Sequence, residues 1–111
     1  MDAKERTVVS YTAKNGHDAF DEWLGSFGAD ETAGIVIARI ERVEAGLFGH
    51  CESVGDGVTE LKIDVGPGYR VYFGQLGDVV VLLNGGDKST QDKDIKEAKR
   101  LWNELKSREV Q

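Results

Sequence analysis

Residues 60–73, ELKIDVGPGYRVYF, followed by residues 84–95, NGGDKSTQDKDI, decide how this chain folds. With a period of two, Glu60, Lys62 and Asp64 share one strand face and Leu61, Ile63 and Val65 the other. Gly66, Pro67 and Gly68 reverse the chain, since glycine reaches positive φ and proline fixes its own. If those residues alone form the loop, Asp64 falls opposite Arg70 and Lys62 opposite Tyr72, on one face. A patch bearing cations, a ring and a hydroxyl results.

Working outward, the stretch lies in a run of three strands, at about 58–65, 69–75 and 79–84, with Gly77 and Asp78 turning the second into the third. VVVLL at 79–83 is apolar on both faces, as a central strand requires. Upstream, RTVVSYT at 6–12 reads as a first strand, rich in β-branched residues. Asn15 is placed to cap a helix over about 16–27, where Phe20, Trp23, Leu24 and Phe27 form an apolar stripe. Gly28 stops it, and Asp30 caps a second helix whose stripe is Ala33, Val36, Ile40, Val43 and Leu47. Gly46 and Gly49 end that helix, and FGHCESVGDG at 48–57 reads as a loop. Ser89 or Thr90 caps a final helix with Ile95, Ala98, Leu101, Trp102 and Leu105 inward.

The expected order is strand, helix, helix, three strands, helix, an α+β domain with its helices on one face of a mostly antiparallel sheet. At 111 residues, one domain spanning 1–111 is expected. With 40% hydrophobic and 31% charged residues the chain has the balance of a folded globular protein. No apolar run approaches the roughly 20 residues of a membrane span, and MDAKERTVV has no signal-peptide core, so a cytoplasmic setting is expected. Cys51 is the lone cysteine, and His17 and His50 lie apart without partners at zinc spacing, so neither disulfide nor metal is indicated. A net charge of −6, from 20 acidic and 14 basic residues, argues against general affinity for nucleic acid but leaves room for a local basic site.

Two groups carry candidate chemistry. Lys62, Arg70, Tyr72 and Lys88 suit an anionic ligand, particularly a phosphodiester: arginine grips phosphate bidentately, and lysine supplies a point charge or, with a lowered pKa, a base. The same residues also read as a cross-strand ion pair, Asp64 with Arg70, beside a packed tyrosine. NGGDKS at 84–89, a strand followed by glycines, a lysine and a helix start, has the form of an anion nest or of a capped structural turn. It lacks the spacing of a nucleotide P-loop.

The run GVTELKIDVGPGYRVYFGQLGDVVVLLNGGDKSTQDKDIKEAKRLWNEL, residues 57–105, resembles the C-terminal half of the RelE/ParE toxin superfamily. The likeness is to the HigB-like branch, often labelled addiction module killer proteins, and LFGH at 47–50 extends it towards the N-terminus. The resemblance implies a RelE-like fold and the toxin of a type II toxin–antitoxin module. It further implies a ribosome-dependent mRNA interferase that cuts mRNA through the 2′-hydroxyl, with no metal or other cofactor. On that basis Arg70 contacts the scissile phosphate, Lys62 acts as base or phosphate ligand and Lys88 stabilises developing charge. Tyr72 and Ser89 are the expected RNA contacts, and the expected partners are a cognate antitoxin and mRNA on the ribosome. The superfamily also implies one alternative, a ParE-like inhibitor of DNA gyrase, and the net charge of −6 motivates another, a non-toxic binding protein that keeps the fold. Where some ribosome-dependent members place a tyrosine at the start of the last helix, this chain has Gln91, Asp92, Lys93 and Asp94.

Overall fold

A computed structural model of the chain describes residues 3–109; residues 1–2 and 110–111, the ends of the expected domain, lie outside the described residues. The elements in order are β1 (Thr7–Ser10), α1 (Ala19–Gly25), α2 (Glu31–Glu44), β2 (Cys51–Gly55), β3 (Val58–Ile63), β4 (Tyr69–Leu76), β5 (Val79–Asp87) and α3 (Gln91–Glu109), with a short 3-10 turn at Lys88–Thr90 before α3. The five strands form one sheet in the order β1-β5-β4-β3-β2. β1 runs parallel to β5 and every other pairing is antiparallel.

Two differences from the sequence reading bear on the site. Residues 51–55 form an edge strand, not part of a loop: Cys51 pairs with Leu61 and Glu52 with Glu60. CESVG has no strong strand pattern of its own, and its pairing depends on a turn through Asp56 and Gly57, both at positive φ.

The helices also pack on both faces of the sheet. α1 and α2 bury Phe20, Val36 and Val43 against Leu61, Ile63, Val71, Phe73, Val80 and Leu82. α3 buries Ala98, Leu101, Trp102 and Leu105 against Val58, Tyr72, Val81 and Leu83 on the other side. The doubly apolar β5 requires this arrangement, because Val80 and Leu82 point one way and Val81 and Leu83 the other. Gly74 admits α3 to the sheet: a Cβ there would lie 2.6 Å from the Trp102 ring.

Local signals explain the helix ends. Asp18, not Asn15, caps α1 by accepting from the Asp21 amide at 2.9 Å; Asn15 accepts instead from the His17 amide at 3.0 Å, within a turn. Asp30 caps α2 as expected, accepting from the Thr32 amide at 2.8 Å. Leu47 falls beyond α2 and is 49% exposed, so that stripe is shorter than its spacing suggested. Among the described residues, no helix is long and apolar enough to cross a membrane.

Candidate anion site at the β3–β4 hairpin

The hairpin register sets the site. Ile63 pairs with Tyr69, Lys62 with Arg70 and Glu60 with Tyr72, so the expected pairs Asp64 with Arg70 and Lys62 with Tyr72 do not form. The Val65 amide donates to Ile63 O and the Gly68 amide to Val65 O, each at 2.9 Å, taking the chain out of the ladder directly after Ile63. Residues 64–68 therefore form the loop, longer than the glycine–proline–glycine triplet alone.

This register sets two cations opposite each other, which is unfavourable without a counter-charge. Glu60, next along the face, supplies it. Its side chain is 1% exposed, and Oε2 accepts from Tyr72 Oη at 3.0 Å and from Gln91 Nε2 at 2.8 Å. Arg70 Nε lies 3.6 Å from Glu60 Oε2, and Lys62 Nζ lies 3.9 Å from Oε1. Both are ion-pair contacts beyond normal hydrogen-bond length. Arg70 Nη1 donates to Gly68 O at 2.7 Å, which ties the guanidinium to the loop. Lys62 Nζ donates to Glu52 Oε2 at 2.7 Å across to β2.

Two expected roles change as a result. The hydrogen bond that Lys62 donates to Glu52 holds its ammonium above the ordinary lysine range, so Lys62 is a cation here and not a base. Tyr72 is 0% exposed, and burial, with the hydrogen bond to Glu60, drives its hydroxyl well above the usual tyrosine range. It belongs to the core under α3, where its ring has no face open to stack on RNA.

Arg70 and Lys88 do come together. Lys88 is exposed at the start of the 3-10 turn, and a Cβ on Gly68 would lie 3.0 Å from Arg70 Nη1 and 3.9 Å from Lys88 Cβ. Asp64, Gly66, Pro67, Gly68, Arg70 and Lys88 line one open depression. Lys62 is not among its lining residues; it stands on the same sheet face, turned towards Glu52.

The segment 84–89 differs from an anion nest. β5 continues through Asp87, and the Asp87 carboxylate caps the turn by accepting from the Ser89 amide at 2.8 Å and the Ser89 hydroxyl at 2.5 Å. Those hydrogen bonds hold Asp87 below the usual carboxylate range. The chain's own carboxylate thus occupies the place where an external anion would sit, and Ser89 is a capped turn residue lining a neighbouring depression with Lys88, Gln91 and Lys93. Gly85 and Gly86 serve close packing: a Cβ on Gly85 would meet the Trp23 ring, and one on Gly86 the Asp94 carboxylate.

Glu60, Glu52 and Gln91 are the members of the cluster that the sequence reading did not single out. The signal for Glu60 was an acid directly before an inward Leu61 on a strand that α3 covers, which only the two-sided packing makes a buried position. Among the described residues, no group of three or more His, Cys, Asp or Glu side chains is placed to hold a metal.

No family model matches the chain, and no solved structure matches it. It is 54% identical over 87 residues to a protein of Haemophilus influenzae described as an "Uncharacterized protein", covering 78% of this chain and 88% of that relative. At that identity and coverage, the chain belongs to the same family as the H. influenzae protein.

Proposed function

We propose that the chain is the toxin of a type II toxin–antitoxin module: a cytoplasmic endoribonuclease of the RelE/ParE superfamily that cleaves mRNA on the ribosome and is neutralised by a cognate antitoxin. The observation that carries this reading is the meeting of Arg70 and Lys88 at one open depression beside the glycine-rich hairpin loop. The resemblance of residues 57–105 to the superfamily supports it.

In this reading Arg70, oriented by its bond to Gly68 O, engages the scissile phosphate, and Lys88 approaches from the other wall. Both cations stabilise charge that grows on the phosphoryl oxygens as the neighbouring 2′-hydroxyl attacks. Lys62 contributes a positive field and becomes a direct phosphate ligand when the phosphate displaces Glu52.

Inducing the chain without its antitoxin arrests growth and yields mRNA cuts within translated frames, and Arg70→Ala abolishes both. Identical behaviour of wild type and Arg70→Ala contradicts the assignment. DNA breaks without mRNA cuts would instead mark a gyrase inhibitor. One observation favours a binding protein that retains the fold: Lys62 and Arg70 each face a carboxylate of the chain itself. On that reading, induction is harmless.

A further inference from the structure

We propose that His50 is the general acid of this site, protonating the leaving oxygen of the RNA; the proposal rests on the reading that the chain cleaves RNA. His50 immediately precedes β2, and its carbonyl accepts from the Lys62 amide at 2.9 Å, which fixes it beside the third cation of the cluster. Its Nδ1 lies 3.5 Å from Asp64 Oδ2. Asp64 lines the same depression as Arg70 and Lys88; His50 is not itself among the lining residues and adjoins the depression through Asp64. The side chain is 59% exposed, and Nε2 makes no hydrogen bond among the described residues. The carboxylate lies beside one ring nitrogen, and the exposed imidazole leaves the other open to a ligand.

The chemistry of the neighbouring groups singles out His50. Arg70 does not give up its proton in the working pH range. The Glu52 bond holds Lys62 as a firm cation, and Tyr72 is sealed in the core with its hydroxyl given to Glu60. Glu60 is 1% exposed and accepts from two side chains through one oxygen. Lys88 is an exposed cation that faces the phosphate from the depression's wall. An imidazole can hold a proton on one nitrogen and hand it on, the chemistry a general acid needs. The charged groups facing His50 are Asp64 from the hairpin loop, Glu52 from β2 and Lys62 from β3.

In the step, the 2′-oxygen forms a bond to phosphorus and its proton passes to solvent water. The bond from phosphorus to the 5′-oxygen breaks, and the His50 imidazolium delivers its proton to that oxygen. The products are a 2′,3′-cyclic phosphate and a free 5′-hydroxyl, with neutral His50 reprotonated from water. Arg70 and Lys88 carry the phosphoryl charge, and His50 removes the need to expel an alkoxide.

The test uses the intact chain on ribosomes carrying either ordinary mRNA or mRNA with sulfur in place of the bridging 5′-oxygen at the cut site, because a thiolate leaves without a proton. His50→Gln should slow cleavage of ordinary mRNA by about 100-fold or more. It should cleave the sulfur substrate at the wild-type rate, whereas Arg70→Ala should remain slow on both. His50→Gln matching wild type on ordinary mRNA, or equally slow on both substrates, overturns the role of His50 and leaves the nuclease reading standing. A wild-type chain that cleaves neither substrate overturns both.

Discussion

The face of the sheet under α1 and α2 and the face under α3 are made from the same strands but from different chemistry. On the first, β3 and β4 present Leu61, Ile63, Val71 and Phe73, an apolar row that Phe20, Val36 and Val43 close off. On the second, β3 reads Val58, Glu60, Lys62 and β4 reads Gly74, Tyr72, Arg70, passing from an apolar floor under Trp102 to a charged end at the hairpin. Hydrophobic packing therefore holds the strands from one side while the other side carries a buried carboxylate with two flanking cations. A buried charge of this kind contributes little net stability, since desolvation offsets much of its attraction. The contrast separates residues that hold the fold from those that shape the site.

The largest expected effect probes the apolar end of the second face. Trp102→Ala removes a ring that is 4% exposed and rests on Gly74, and should cost about 4 kcal/mol in denaturant unfolding. A cost under about 1 kcal/mol would mean that α3 does not anchor the sheet as described.

Next, Glu60→Leu leaves Arg70 and Lys62 facing each other without their counter-charge, and strips Tyr72 Oη and Gln91 Nε2 of their acceptor. A loss of about 3 kcal/mol is expected by urea unfolding, discounted from the full buried-pair range because both cations retain some exposure. Unchanged or increased stability would show that the carboxylate is kept for the site alone.

The smallest effect is that of Tyr72→Phe, about 1 kcal/mol near neutral pH. Its pH dependence is more telling. The folded state raises the Tyr72 pKa above its unfolded value of 10.0, so the folded state favours the protonated phenol. That contribution is fully present below the unfolded value and is lost as pH rises from there towards the folded value. Thermal melts from neutral to alkaline pH should therefore fall more steeply for wild type than for Tyr72→Phe. Parallel curves would contradict the buried Tyr72–Glu60 bond.

The two faces were also unequally legible in the sequence. Leu61 and Ile63 alternate cleanly, and the α3 stripe from Ile95 to Leu105 is where its spacing places it. The second face was harder to read because its key pairing depends on where the loop begins. The Val65 amide bond to Ile63 O ends the ladder before Asp64, which replaces a simple Asp64–Arg70 pair with a cluster centred on Glu60. β2 was illegible for a related reason: CESVG becomes a strand through its pairing with β3, and only that pairing brings Glu52 to Lys62 and His50 to Asp64. Expecting all helices on one face overlooked what VVVLL demanded, cover on both sides of β5.

The central claim is that the hairpin end of the second face receives the phosphate of single-stranded RNA. Its most direct test is a titration of the isotope-labelled chain with a short single-stranded RNA, followed by backbone amide shifts. Shifts concentrated at Gly66, Gly68, Arg70 and Lys88, and lost in Arg70→Ala, are the predicted result. No shift at those residues, or shifts confined to the exposed Lys93, Lys96 and Arg100 surface of α3, would contradict it.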